Sequence, residues 1–275
     1  MLFLGTLSAL AAASVPHGGP PANGSGVHAA ANATMGTVFL QVEFGGLTRD
    51  AIMYTPVAAA PGSAFPMVFN YHGFGSDAFQ QVLYSDMNPV ADMHGFVVIY
   101  PYGVGIAGVG RSFNGGSCCP ISNSLEAPVD DVGLSEVWVQ EAEKLLAVSG
   151  SSVDRSRIYS LGMSNGGFMS MRLGCQKSSL FAAVASVTGV LGNDSPGTDD
   201  FSCDLASTEG RPIPFLHIHG TADATVPYSA VQRGIDGEQT AGPAASLSSY
   251  VSLVSLLENH ARPFPLGSAI GYCDI

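Results

Sequence analysis

Positive charge is scarce in this chain of 275 residues. Ten Lys and Arg face 22 Asp and Glu, for a formal balance of −12 and an isoelectric point near 4.7. Such a surface repels a polyanion rather than holding it through counterion release, which excludes nucleic acid as a partner. No dense acidic run stands out, so the acidity reads as solubility. The five cysteines, Cys118, Cys119, Cys175, Cys203 and Cys273, include no CxxC and no paired ligand spacing, so a zinc site is not expected. Away from the N-terminus no apolar run approaches the ~20 residues of a membrane-spanning helix. Tryptophan is reduced to Trp138.

What is present begins with the apolar run Met1 to Leu10, which passes into Ala11-Ala12-Ala13 without a preceding Lys or Arg. Residues 1–15 therefore read as a signal peptide, 16–35 as a flexible Pro, Gly and Ala leader, and 36–275 as one domain. Secretion follows as an expectation, with no membrane attachment once the signal is removed. Asn23, Asn32 and Asn193 then stand in glycosylation acceptor tripeptides. In an oxidising compartment the five cysteines suggest two disulfides and one free thiol, of unspecified connectivity.

Short apolar or alternating runs predict strands at Val38 to Phe44, Ala51 to Tyr54, Pro66 to Tyr71, Gly95 to Tyr100, Arg157 to Leu161, Phe181 to Val187 and Ile213 to Ile218. Between them Leu134, Val137, Trp138, Ala142, Leu145 and Leu146 form one stripe on a helix of about fifteen residues. Asp130 and Asp131 fit its N-terminus, where carboxylates accept from free N–H groups and oppose the dipole. Strands alternating with helices define a doubly wound, mostly parallel α/β sheet.

Gly162-Met163-Ser164-Asn165-Gly166 matches G-x-S-x-G, in which a strand bends sharply into a helix and leaves the serine hydroxyl exposed. With 34 glycines present, the match alone is weak. Its context is not, because it follows the strand ending at Leu161 and opens the apolar segment from Gly167 to Leu173. Ser164 is the candidate nucleophile. Tyr71-His72-Gly73-Phe74-Gly75 ends an earlier strand, where this fold places a loop whose backbone N–H stabilises an oxyanion together with the residue after the nucleophile. Phe74 and Asn165 are the candidate donors, and His72 reads as structural. His217-Ile218-His219-Gly220-Thr221-Ala222-Asp223 ends the last strong strand and places Asp223 where a triad acid belongs in chain order.

These residues together resemble the polyhydroxybutyrate depolymerase and feruloyl esterase group of carbohydrate esterase family 1. The matching features run from about Arg49 to Tyr228. They include His72-Gly73, Ala91-Asp92, Tyr100-Pro101, Phe113-Asn114-Gly115 leading to Cys118-Cys119, Val129-Asp130-Asp131-Val132-Gly133, the serine pentapeptide and His219-Gly220-Thr221-Ala222-Asp223. The resemblance implies the α/β-hydrolase fold and a cofactor-independent serine hydrolase with no metal, and a monomer is expected. Its substrates would be feruloyl or acetyl esters of plant polysaccharide, or short polyhydroxyalkanoate chains.

Two departures stand out. Phe113 occupies a position that is usually tryptophan in the family, a pocket wall or core site. The family's catalytic histidine lies in a Gly-His-x-Trp-Pro-like motif near the C-terminus, which is absent here. His260 is the one histidine after Asp223 and so the sole candidate base by chain order. Two further readings remain open: a catalytically inactive α/β-hydrolase-like binding protein that lacks the triad histidine, and a C-terminal part that is incomplete.

Overall fold

In the computed structural model of the protein, residues 36–58, 60–116, 118–119, 129–190 and 213–227 are described. The signal-peptide and leader readings, Cys203, Cys273 and His260 lie outside them. The strands of the main sheet are β1 (Gly36–Phe44), β2 (Leu47–Thr55), β3 (Ala64–Tyr71), β4 (Val97–Pro101), β7 (Ser152–Met163), β8 (Ala183–Val187) and β9 (Phe215–Ile218), and a separate hairpin is made by β5 (Val104–Ile106) and β6 (Gly110–Ser112). The main sheet runs in the order β1-β2-β4-β3-β7-β8-β9. The pairs β1/β2 and β2/β4 are antiparallel. From β4 across to β9 every pair is parallel.

Side-chain alternation assigns the two faces. On β4, Val97 and Ile99 join the larger core, while Val98 and Tyr100 join a smaller one behind the sheet. The larger core packs under α3 (Asp131–Ala147) and α4 (Asn165–Gln176), with Trp138, Phe69 and Phe181 almost fully enclosed. The smaller core is covered by α1 (Ala78–Ser85) and α2 (Met87–His94) through Ala78 and Ala91. Both faces of the central strands are therefore dry, which is why they read as continuous apolar runs. At the β1 edge, by contrast, Val38 and Leu40 point inward while Phe39 is 68% exposed, the period-2 signature of a strand covered on one side.

The predicted stripe on α3 is buried at Leu134, Trp138, Ala142, Leu145 and Leu146. Asp130 caps this helix by accepting from the Gly133 amide at 2.7 Å. Asp131 does something else. It is buried and paired with Arg49 of β2, and its second oxygen accepts from the Asn114 amide at 2.7 Å. The apolar run from Phe181 becomes strand only at Ala183, because Phe181 turns into the core against Phe69. Helices α1 and α2 and the β5/β6 hairpin were not anticipated from the sequence.

Candidate active site

Topology selects one place on this sheet for chemistry. From β3 the chain steps to β4 on one side, whereas β7 lies on the other, so the carboxyl ends of β3 and β7 flank the point where the winding reverses. Open α/β sheets bind ligands in the crevice at such a point. Parallel register levels the two ends, with Tyr71 opposite Gly162.

Ser164 is the first residue beyond β7 and precedes α4, with φ 52° and ψ −121°. This is a strained backbone region for a residue with a side chain. Its amide donates to the Val187 carbonyl on β8 at 2.8 Å, and its carbonyl accepts from Phe168 at 2.9 Å, so the bend is fixed on both sides. The flanking glycines are required sterically. A Cβ on Gly162 would lie 2.4 Å from the Gly166 carbonyl oxygen, and one on Gly166 would lie 2.2 Å from that of Tyr71. No side chain fits at either position while the elbow keeps this shape.

The loop after β3 reaches the same spot. A Cβ placed on Gly73 would stand 3.6 Å from the Ser164 Cβ, so the loop backbone lies directly against the elbow. Beneath it, fully buried His72 accepts at Nε2 from the Gly103 amide at 3.0 Å, which leaves Nδ1 protonated to donate to the Gly73 carbonyl at 2.7 Å. Burial pushes the imidazole down to about 4, so it stays neutral at physiological pH. With the Gly73 carbonyl engaged, planarity of the peptide turns the Phe74 N–H to the opposite side. The hairpin braces the loop further, since the Gly75 amide donates to the Arg111 carbonyl at 2.8 Å.

Asn165 is fully buried, and its side chain clamps the segment before the cysteines. The amide oxygen accepts from the Phe113 N–H at 2.8 Å, and the amide nitrogen donates to the Phe113 carbonyl at 2.9 Å. Its backbone N–H belongs to the first turn of α4, where no intrahelical acceptor exists. Phe113 is a core residue, edge-on to Tyr71 with ring centroids 5.0 Å apart and tilted against His72 at 4.5 Å. Cys118 and Cys119 are joined to each other, and the Asn165 amide nitrogen lies 3.8 Å from the Cys118 sulfur. Cys175 is disulfide-bonded as well.

Asp223 lies just past β9, the second strand along from β7. One carboxylate oxygen accepts from the Val226 and Thr225 amides at 2.9 and 2.8 Å, and these bonds lower its pKa. The other oxygen is 3.7 Å from His219 Nε2. That nitrogen faces the Val226 carbonyl at 2.7 Å, so it carries the proton, and His219 Nδ1 accepts from His217 Nε2 at 3.0 Å. Burial holds His217 down to about 4. The structure thus brings Ser164, Asn165 and the 72–75 loop together and sets Asp223 past the end of β9, with β8 between that strand and β7, while His260 lies outside the described residues. The Asn165 clamp and the His72 anchor had no signal in the sequence, because their partners lie 52 and 31 residues away. Among the described residues no cluster of three His, Cys, Asp or Glu is placed to hold a metal.

A largely parallel sheet with a strained serine elbow at its switch point is the α/β-hydrolase fold, and this chain has it. The chain is similar to the feruloyl esterase B of Piromyces equi, at 30% identity over 181 residues covering 66% of this chain and 30% of that protein. It is also similar to a bifunctional acetylxylan esterase/xylanase of Neocallimastix patriciarum, at 29% identity over 189 residues covering 68% of this chain and 23% of that protein. The chain therefore spans less than a third of the length of either relative. In structure it is similar to esterase 2 of Thermogutta terrifontis, solved phosphonylated by cyclosarin, with a TM-score of 0.51 and 16% identity over 82% of this chain and 92% of that one. No family model matches.

Proposed function

We propose that this chain is a serine carboxylic ester hydrolase that works through an acyl-enzyme on Ser164. The observation that carries the reading is the strained φ of 52° at Ser164 beside the Gly73 backbone. The N–H groups of Phe74 and Asn165 are the candidate donors for the negative charge that develops when a hydroxyl held there attacks an ester. Ser164 Oγ attacks the ester carbonyl and its proton passes to an imidazole. The tetrahedral oxyanion collapses, the alcohol leaves with that proton, and water then releases the acid by the same steps. His260 is the candidate base and Asp223 the group that orients it. The strand axes of β7 and β9 are two inter-strand spacings apart, about 10 Å, a gap that serine, imidazole and carboxylate side chains can bridge as one row.

The relatives favour feruloyl or acetyl esters of plant polysaccharide over short polyhydroxyalkanoate chains. The protein acts outside the cell as a monomer in this reading. Labelling with a fluorophosphonate probe and turnover of p-nitrophenyl acetate, in wild type and Ser164→Ala, test it together. Wild type labels and turns over, and Ser164→Ala loses the label and about 10⁶ in kcat. Absence of Ser164-dependent labelling and hydrolysis in wild type would overturn the reading in favour of the inactive binding protein.

A further inference from the structure

Of the nine methionines, Met53, Met67, Met169 and Met171 are enclosed in the larger core. Met163 is not. It closes β7 immediately before Ser164 and is 39% exposed, and among the described methionines only Met93 on α2, at 76%, is more open. We propose that Met163 is a modification site, at which a peroxide converts the thioether to the sulfoxide and thereby suppresses ester hydrolysis at Ser164. The oxidation stands on the geometry of Met163 alone, while its effect on rate rests on the esterase reading of Ser164.

Three observations carry it. The first is contact: a Cβ on Gly73 would stand 3.6 Å from the Ser164 Cβ and 3.8 Å from the Met163 Cε, so the methionine tip and the serine meet the same loop residue. The sulfur is one bond from that methyl. The second is rigidity. His72 holds the Gly73 carbonyl at 2.7 Å, the Gly75 amide donates to the Arg111 carbonyl at 2.8 Å, and the Ser164 amide donates to the Val187 carbonyl at 2.8 Å. Neither the loop nor the elbow can draw back from a larger neighbour without breaking those bonds. An oxygen added to the sulfur therefore projects into the solvent-side space that an ester must occupy to reach the hydroxyl.

The third is what the oxygen does there. A sulfur lone pair attacks one peroxide oxygen, the S–O bond forms as the O–O bond breaks, and with hydrogen peroxide the second oxygen leaves as water after proton transfer. Sulfur gives up two electrons and the peroxide takes them. The product replaces a flexible apolar tip with a polar group whose oxygen is partly negative. That oxygen competes as an acceptor for the candidate donors at Phe74 and Asn165, and it opposes the negative charge that builds on the ester carbonyl. Removal of one oxyanion donor costs roughly 10²–10³ in kcat, so a competing acceptor beside the same site is expected to cost at least tenfold.

Met93 supplies the internal control, being more exposed but carried on another element. The full-length protein is titrated with hydrogen peroxide in wild type, Met93→Leu and Met163→Leu, with peptide mass mapping of each methionine and turnover of p-nitrophenyl acetate read side by side. Wild type and Met93→Leu are expected to lose at least tenfold in kcat as the Met163 peptide gains one oxygen, while the four core methionines lag behind. Met163→Leu keeps its own untreated rate to within about twofold. Methionine sulfoxide reductases restore the treated wild type and their thiol reductant alone does not, a measurement that stands even if Met163→Leu fails to fold. Sulfoxide at Met163 with an unchanged rate, inactivation of Met163→Leu in step with wild type, or a Met163 that stays reduced after Met93 is oxidised would each overturn the proposal. Wild type that hydrolyses nothing before treatment sinks the esterase reading instead. The peptide map then decides the modification site by itself, in favour if Met163 is oxidised ahead of the core methionines and against if it is not.

Discussion

At the β3/β7 switch point the backbone is boxed in on every side, whereas at the tip of β9 it is held by one turn. Around Ser164 a side chain at Gly162 or Gly166 would collide with carbonyl oxygens, the Ser164 amide is tied to β8, and the neighbouring loop is anchored by His72. Around Asp223 the neighbours Ala222, Ala224 and Thr225 are exposed, and two backbone amides fix the carboxylate. Dense packing leaves a dense sequence signature, so the elbow is legible as a pentapeptide. The acid end is one Asp in a turn, identified by chain order and strand position rather than by its surroundings.

That contrast can be broken at either end, and the largest effect is expected on rate at the looser one. Asp223→Asn keeps an oxygen to accept from Thr225 and Val226, so thermal melting should shift by only a few degrees while kcat on p-nitrophenyl acetate falls about 10⁴-fold. A loss under tenfold would make Asp223 a turn cap and nothing more. At the tighter end, Gly166→Ala drives a methyl group into the β3 carbonyls and should cost about 3 kcal/mol or more in urea unfolding, together with loss of probe labelling. Unchanged stability in that variant would mean that the elbow is not packed as described.

A graded effect touches both ends, since each carries a buried neutral histidine whose pKa burial lowers to about 4 from an ordinary 6.5. The unfolded chain binds the extra protons between those values, so stability is full above about pH 6.5 and is lost as pH falls toward 4. Each group contributes at most about 3 kcal/mol to that loss. Urea midpoints at pH 7 and pH 4.5 measure it, and His217→Gln should flatten part of the slope.

The strands were legible because the sheet is covered on both faces, which makes β4 an unbroken apolar run and leaves β3 and β8 with one polar residue each, Asn70 and Ser186. Helix α1 was hidden for the opposite reason. It buries Ala78 and Gln81 while Phe79, Leu83 and Tyr84 are 57%, 64% and 71% exposed, so its polarity pattern contradicts the stripe that marks a core-facing helix. The hairpin after β4 did carry a local sign, in that Val104-Gly105-Ile106 and Gly110-Arg111-Ser112 flank a Gly-containing turn. Asp131 was placed correctly at a helix start, but its ion pair with Arg49 is a tertiary fact with no local pattern. Chain order could point to His260 as a base and nothing further.

The Arg49–Asp131 pair also governs how the molecule can assemble. Its partners lie 82 residues apart, and Asp131 in turn holds the Asn114 amide, whose residue's carbonyl receives Arg172 from α4 at 3.0 Å. A buried guanidinium without its carboxylate is costly, by about 3–5 kcal/mol. The folded state is therefore stable only with strand β2, the start of α3 and the segment at Asn114 in place together. Loss of either partner would thus be felt at the reactive centre as well as at the sheet edge, because one carboxylate serves both.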